Sequence, residues 1–266
     1  MARLITKLLL CSTLVAPSIA ASQDLSGTVI ELEEIVIFGG LLPTSLDTTG
    51  ATIEVAETDE IIRAGVGVTA ALDTLPGVSV SANGGLGGTA TLRVRGLSGP
   101  YIGVQIDGID VTDPSGPQTA FNFGTLTNGS LDRIAVVKGT QSAVYGSDAI
   151  AGVVELESWR PAADGVSGQV RVEAGSFETR AVDLSVGYLD ERAELALSLG
   201  RVTSDGFSSR ESDDENDGFE QSTLNLFAAY QVSDAIRLAV TGLWSDGSAE
   251  FDRSETDNTG EIDETR

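Results

Sequence analysis

Strict two-residue alternation of apolar and polar side chains, beginning near residue 165, constrains the fold of this chain more than any other feature. A period of two places successive side chains on opposite faces of a β-strand. Segments of about ten residues with one apolar and one polar face are typical of the tilted strands of a transmembrane β-barrel. The apolar face carries Val170, Val172, Ala174, Leu184, Val186, Tyr188, Leu195, Leu197, Leu199, Leu224, Leu226, Ala228, Tyr230, Ile236, Leu238, Val240 and Trp244. The polar face carries Arg171, Glu173, Asp183, Ser185, Glu194, Ser198, Thr223, Asn225, Arg237 and Thr241.

The connections between these segments alternate in length, as they do in outer-membrane barrels. "YLDER" and "QVSDA" are tight turns, whereas residues 203–221 form a long polar excursion. A soluble β-sandwich is the alternative, because its strands alternate in the same way. An open sheet of about five strands cannot satisfy its edges in lipid. Residues 161–266 are therefore expected to be the first strands of a truncated barrel.

The first twenty residues read as a secretory signal peptide. Arg3 and Lys7 form a basic start, residues 8–15 are apolar, and residues 18–20 supply the small residues of a cleavage site. The only cysteine, Cys11, lies inside this segment, so the exported protein is expected to have no disulfide.

The charge balance limits the partners and the chemistry. Sixteen basic residues stand against forty acidic ones, and there is no histidine. Such an excess of negative charge argues against nucleic acid as a partner. Without histidine or a retained cysteine, the common catalytic triads and soft metal sites are unavailable, so no enzyme is expected. A bound metal would be a hard cation, such as calcium, held by oxygen atoms.

Residues 51–160 mix helix and strand signals. Thr58 is expected to cap a short helix, and a second helix is expected to stop before Pro76-Gly77. Short β runs separated by glycine and aspartate turns follow. These patterns predict a globular α+β domain, preceded by a leader at residues 21–50.

Five motifs then resemble one known family, the TonB-dependent outer-membrane receptors. They are "LPGVSVSANGG" (75–85), "LRVRG" (92–96), "VQIDGIDV" (104–111), "LDRIAVVKG" (131–139) and "SAVYGSDAIAGVVEL" (142–156). Within that family they are most similar to the cobalamin (vitamin B12) transporters. The resemblance implies an α+β plug domain followed by the first strands of a transmembrane antiparallel β-barrel. It also implies an outer-membrane location, a periplasmic TonB partner and active import of cobalamin or a related corrinoid. A ferric siderophore receptor of the same family, or a secreted β-rich binding or adhesion domain, are the alternatives.

The leader contains a segment that resembles a TonB box, "EEIVIFG" (33–39). Its residues are Glu33, Glu34, Ile35, Val36, Ile37, Phe38 and Gly39. An extended, β-prone peptide of this kind can add a strand to the sheet of a partner protein. The alternative is a first strand of the plug that never leaves the fold.

Ligand contacts follow from the resemblance by position only. The plug segments that touch substrate in cobalamin transporters correspond here to Thr89, Thr91, Ser98, Gly116 and Pro117. Small polar side chains and bare backbone at these positions leave cobalamin and a siderophore both open as substrates.

An acidic run, "SSRESDDENDGFE" (208–220), is the last candidate site. Counted as an EF-hand from Asp213, its twelfth position is Leu224 where a bidentate Glu is needed, so that motif fails. The resemblance implies calcium in the extracellular loops instead. The expected ligands are Asp205, Glu215, Asp217, Asp246 and Asp252. A solvated, self-repelling loop is the alternative.

Overall fold

The computed structural model describes residues 51–113, 115, 120–208 and 216–250, together with the backbone of four residue pairs near the two ends. The predicted signal peptide lies outside the described residues. Two of those pairs, β1 (Ile35–Val36) and β2 (Thr44–Ser45), form an antiparallel two-stranded sheet. No helix among the described residues is both long and apolar enough to cross a membrane.

Residues 52–158 form an α+β domain, as the sequence predicted. Its helices and strands in chain order are β3 (Thr52–Glu57), α1 (Thr58–Arg63), α2 (Val68–Asp73), β4 (Val78–Asn83), β5 (Thr89–Val94), β6 (Leu97–Ser98), β7 (Ile102–Ile106), β8 (Ile109–Asp110), β9 (Leu131–Lys138), α3 (Ser142–Tyr145) and β10 (Gly152–Ser158). Five of the strands form one sheet in the order β3-β9-β10-β7-β8, and β4-β5-β6 form a second sheet. In the larger sheet β7 and β10 run parallel and the other neighbours are antiparallel.

The first helix begins one residue earlier than the sequence indicated. Glu57 is its N-cap residue and forms a capping box with Glu60, so Thr58 is not the cap. The Thr58 hydroxyl instead donates to Asp132 at the start of β9, with its Oγ1 2.7 Å from the main-chain oxygen. This long-range hydrogen bond ties α1 to the central sheet.

The core of the domain lies between the helices and the two sheets. Its largest fully buried side chains include Ile61, Leu72, Leu92, Phe123 and Ile134. Lys138 is also buried, at 6% exposure, and its Nζ lies 2.8 Å from Glu54 Oε1 and donates to the Pro76 carbonyl. A buried ammonium group is tolerated here because both a carboxylate and a carbonyl satisfy it.

The remaining strands form one antiparallel meander, here called the wall sheet. Its strands are β11 (Gly165–Ala174), β12 (Arg180–Leu189), β13 (Ala193–Ser204), β14 (Phe219–Ser233) and β15 (Ile236–Ala249), hydrogen-bonded in sequence order. Two further strands of two residues each, β16 (Glu255–Thr256) and β17 (Ile262–Asp263), follow in the chain. The β12–β13 and β14–β15 connections define the short-turn end of the wall sheet, and the 205–218 connection defines its long-loop end.

The wall sheet exposes its apolar face and covers its polar face, as predicted. Val170 is 69% exposed and Val240 64%, whereas Asp183 and Ser185 on the opposite face are 4% and 1% exposed. The register aligns Val170, Leu184, Leu199, Leu224 and Trp244 across all five strands as one apolar row. A soluble sandwich would bury such a row, whereas lipid-facing strands present it outward.

Candidate ligand and coupling sites

The polar face of the wall sheet holds the α+β domain through one arginine on β11. Arg171 Nη2 donates to the carbonyls of Asn128 (2.8 Å) and Gly129 (2.7 Å), both in the α+β domain. Its Nε lies 3.3 Å from Asp183 Oδ2 on β12. Gly129 is packed so tightly here that a Cβ would overlap Asp183 Oδ1. Arg171, Asp183 and Gly129 are called the seam clamp below.

Further polar contacts continue the same seam along β14. Gln221 Nε2 donates to the Thr125 carbonyl (2.8 Å), and Thr127 Oγ1 donates to Gln221 Oε1 (3.1 Å). Asn225 Nδ2 donates to Ser130 Oγ. Among the described residues, Asp183 Oδ1 and Asn225 Oδ1 are buried without a protein hydrogen-bond partner. The seam is therefore polar and incompletely satisfied, unlike the dry core of the domain.

A cavity of about 230 Å³ lies in the seam beside these contacts. Side chains of the α+β domain, including Ile106 and Leu131, form one side, and Asn225 and Leu243 of the wall sheet form the other. A cavity with several polar groups in its lining has room for water molecules that bridge buried polar groups.

At the short-turn end, the hairpin between β7 and β8 is tied to the wall sheet by Arg160. This guanidinium lies 3.0 Å from Asp107 Oδ1, 3.7 Å from Glu194 Oε1 on β13, and 3.3 Å from the centre of the Phe227 ring on β14. Asp107, whose side chain is 2% exposed, also accepts from the main chain and hydroxyl of Ser158. Asp107 lies in the β7–β8 turn, and its ion pair with Arg160 fixes that turn beside the wall sheet.

At the long-loop end, residues 84–88 of the α+β domain form an apex loop that packs against the wall. A Cβ at Gly85 would lie 3.3 Å from the Phe207 ring, and one at Gly87 would overlap Phe219 and Ala249. Gly87 also has φ +81°, and its amide donates to the Gly124 carbonyl over 2.9 Å. This loop therefore needs glycine for close approach and a positive φ together.

The predicted ligand residues of the α+β domain lie on β5 and β6, next to the apex loop. Thr89 is exposed at the start of β5, Thr91 is half-buried within it, and Ser98 lies on β6 opposite Arg93. Gly99, the residue after Ser98, lies near both Ala120 and Thr91. Gly116 and Pro117 lie outside the described residues.

The predicted calcium ligands do not all belong to one loop. The two ends of the 205–218 loop meet, because a Cβ at Gly206 would overlap the Asp217 carbonyl oxygen. Asp205 and Asp217 therefore lie at the base of one loop. Asp246 was expected in the next long loop, but it lies inside β15, opposite Ser222 on the outward face. The strand extends further than the sequence indicated because β14 pairs with it as far as Ala249.

Two further expected ligands, Glu215 and Asp252, lie outside the described residues. Within the described residues, no three acidic, histidine or cysteine side chains come together as a metal site. Glu250, which the sequence did not single out, lies at the base of the loop. Its amide donates to the Gly218 carbonyl over 2.8 Å, and its Oε2 accepts from the Gly218 amide over 3.2 Å.

The TonB-box segment is described only at its centre. Ile35 pairs with Ser45 and Val36 with Thr44, so this part of the segment is extended. Its partner is the leader itself and not the sheets of the α+β domain. The other predicted positions, Glu33, Glu34, Ile37, Phe38 and Gly39, lie outside the described residues.

Among the titratable groups outside the wall strands, Tyr145 and Asp190 have shifted pKa values with clear causes. Burial, followed by the negative charge of Glu155 and the hydrogen bond to it, raises the pKa of Tyr145, whose hydroxyl lies 2.9 Å from Glu155 Oε1. The Asp190 carboxylate in the β12–β13 turn accepts from the Arg192 amide, the Tyr188 hydroxyl and the Ala193 amide, which lowers its pKa. Both groups stabilise local structure, and neither faces a candidate ligand site.

Comparison with known proteins identifies the domain architecture. The family model "TonB-dependent Receptor Plug Domain" matches residues 45–153. The vitamin B12 transporter BtuB of Photobacterium profundum is 28% identical over 250 residues, which cover 92% of this chain and 40% of that protein. BtuB of Vibrio cholerae serotype O1 is 32% identical over 149 residues, or 55% of this chain and 24% of that protein. The chain thus spans less than half the length of these relatives.

Solved structures show the same fold. The ferripyoverdine receptor of the Pseudomonas aeruginosa outer membrane matches with a TM-score of 0.59 at 18% identity, over 85% of this chain and 30% of that one. The siderophore receptor PirA from Acinetobacter baumannii matches with a TM-score of 0.60 at 15% identity, over 74% and 32% of the two chains. At such low identity, these structures support the fold and carry no information about the ligand.

Proposed function

Because the chain belongs to the TonB-dependent receptor family, with a plug domain followed by antiparallel barrel strands, we propose that it serves in outer-membrane import of cobalamin or a related corrinoid. This family consists of transport receptors, not enzymes. The α+β domain is the plug. The observation that carries the proposal is a sheet that exposes its apolar face and fixes the plug on its polar face. A secreted adhesion domain in water gains nothing from that arrangement.

The mechanism follows from the two ends of the wall sheet. The long-loop end faces outside and the short-turn end faces the periplasm, as in other barrels of this type. The ligand binds at the long-loop end, beside Thr89, Thr91 and Ser98. TonB then pairs with the segment at residues 33–39 by strand addition and transmits a pull to the plug. Water can replace the polar contacts of the seam when the plug moves, whereas the small apolar cluster around Val66, Leu86 and Phe219 has to separate without such replacement.

Equilibrium binding of cyanocobalamin to the purified full-length receptor tests the substrate. The same measurement with ferric siderophores tests the alternative substrate class. We expect saturable binding of cyanocobalamin and none of the siderophores. Binding of a siderophore alone would refute the corrinoid proposal and leave TonB-dependent transport standing.

An Ile35→Pro substitution tests the coupling segment, because proline removes a main-chain donor that strand addition uses. We expect energised uptake of cobalamin to fall to background while binding at the cell surface is unchanged. Thr44→Pro in the paired strand β2 is the matched control, and uptake should persist in it. Normal uptake by the Ile35→Pro receptor would show that residues 33–39 are not the coupling segment.

Calcium is proposed as a loop-ordering ion held by the carboxylates of the 205–218 loop, chiefly Asp205, Glu215 and Asp217. Closure of the loop at its base supports this, since clustered carboxylates that repel one another are stabilised by a divalent cation. Glu215→Ala and Asp217→Ala should each weaken the dependence of cobalamin binding on calcium. If a chelator affects the wild-type receptor and both variants equally, the loop is only a solvated acidic segment.

A further inference from the structure

Two phenylalanine rings are exposed at the long-loop end, and neither was among the residues that the sequence motifs singled out. Phe177 lies in the β11–β12 turn and is 56% exposed, and Phe207 lies in the 205–218 loop and is 39% exposed. Their ring centres are 5.1 Å apart with an interplanar angle of 42°. Large apolar side chains grouped at the surface mark contact sites more often than isolated ones do.

The backbone holds Phe177 in a conformation that is unfavourable for a bulky residue. Phe177 has φ +58° and its neighbour Glu178 has φ +53°, both in the left-handed region. The Phe177 carbonyl accepts from the Asp205 amide (2.9 Å) and from Ser204 Oγ (3.3 Å). These hydrogen bonds fix the turn to the end of β13. Strain maintained by surrounding contacts, with the ring left exposed, is typical of a functional position.

The pair adjoins the apex loop of the plug. The Phe207 ring packs against the backbone of Gly85, and the next residue, Leu86, packs with Val66 and Phe219 in a small apolar cluster beneath the loop. The ring pair is therefore next to an apolar cluster through which the plug contacts the wall sheet. Thr89, the exposed first residue of β5, follows the apex loop directly in the chain.

The surrounding charge is negative. The arginines that the structure describes on the wall strands near this end are already paired, Arg180 with Glu178 at 2.7 Å, Arg201 with Glu220 at 2.9 Å and Arg171 with Asp183 at 3.3 Å. Glu250 adds a further carboxylate at the loop base, and Asp205 and Asp217 add two more when no calcium is bound there. A ligand with net negative charge would be repelled here, whereas a neutral or cationic one would not.

We propose that Phe177 and Phe207 form an aromatic platform that binds an apolar, ring-bearing face of the imported ligand, and that this ligand carries no net negative charge. The inference rests on the proposed import function and adds the substrate class and two contact residues to it. Flat ring faces pack favourably on such side chains, and rigid aromatic contacts lose little conformational entropy on binding.

The test measures cyanocobalamin binding to the full-length receptor with Phe177→Ala, Phe207→Ala and the double variant. Phe177→Tyr and Phe207→Tyr retain the rings and should bind like the wild type. Tyr230→Ala removes an aromatic side chain of similar exposure, 51%, from the far end of the wall sheet and is the matched control. We expect a loss of affinity of about 10-fold for each alanine variant, from the typical strength of stacking on an aromatic side chain.

The possible results distinguish failure of the aromatic platform from failure of the proposed cobalamin import. If the wild type binds cyanocobalamin and the alanine variants match the Tyr230→Ala control, the platform is refuted and cobalamin import stands. If the wild type binds a neutral or cationic ferric siderophore instead, loss of that binding in the alanine variants supports the platform and refutes only the corrinoid. Selective binding of an anionic siderophore would overturn the charge requirement. Unchanged thermal unfolding of the variants confirms that they are folded.

Discussion

Replacing Arg171 by Met should loosen the plug from the wall sheet. The substitution keeps a long apolar stem but removes the guanidinium that contacts two plug carbonyls and Asp183. Asp183 is 4% exposed and would be left as a buried carboxylate without its cation. The plug carbonyls of Asn128 and Gly129 would lose their charged donor at the same time.

The expected magnitude follows from burial. Removing one partner of a buried ion pair costs about 3–5 kcal/mol, because the remaining charge is uncompensated. The lost hydrogen bonds belong to the same network, so they are included in this range and not added to it. The equilibrium constant for opening the seam should therefore rise by roughly 150- to 5,000-fold.

A cysteine reporter measures that opening directly. Cys11 is the only cysteine of this sequence and lies in the predicted signal peptide. With any cysteine beyond residue 266 replaced by serine, a Thr127→Cys reporter is the sole thiol of the exported full-length receptor. Thr127 is 8% exposed in the seam, and its labelling by a thiol reagent at increasing urea reports the open fraction. Arg201→Met is the control, because Arg201 and Glu220 form an exposed pair worth about 0–1 kcal/mol.

The double variant Arg171→Met with Asp183→Asn sharpens the test. Removing both charges should recover much of the stability that the single variant loses, since no buried charge is then left unpaired. If Arg171→Met labels at the same urea concentration as Arg201→Met, the seam clamp does not hold the plug and the reasoning fails.

Two further substitutions test the wall sheet and the apex loop. Leu199→Arg on the outward face of β13 should lower the free energy of unfolding from lipid vesicles by about 2–4 kcal/mol. Thr203→Arg, on the same face near the strand end, should lower it by only about 0–1 kcal/mol. Equal effects would show that this face does not contact lipid. Gly87→Ala should destabilise the receptor more than Gly108→Ala in urea unfolding, although both glycines have φ +81°. Only the Gly87 Cβ would overlap Phe219, which adds about 1–3 kcal/mol to the shared backbone strain, whereas Gly108 has open space. Matching midpoints for the two alanine variants would contradict a tightly packed apex loop.

Much of the fold could be predicted from the sequence because its signals are local. Alternation along β11 to β15 gave both the strands and the faces, and the structure confirmed that Val170 is exposed and Ser185 covered. Pro76-Gly77 correctly marked the end of the second helix. A local prediction was wrong where the side chain could bind either its own helix or a distant segment. Thr58 binds Asp132, which lies 74 residues away, so it does not cap its own helix.

The candidate sites were less predictable, because they depend on which distant segments meet. Asp246 was expected in a loop, and it lies in a strand because β14 extends its pairing. Thr89 and Ser98 were proposed as ligand contacts only from the resemblance to a family, and that role stays a prediction. Nothing in the local pattern distinguished Phe177 or Phe207 from ordinary apolar residues near strand ends.

By itself, the sequence determined that this chain forms β-strands with an apolar face turned outward, because the side chains of a strand alternate with a fixed period of two. It also determined the α+β character of the plug through its turn and helix signals. Only the tertiary structure decided that Arg171 would reach Gly129, 42 residues away, across the polar seam. It likewise decided that two phenylalanine rings would meet above the apex loop. Such contacts require the register of the wall sheet and the docking of the plug, and neither is encoded in any single segment.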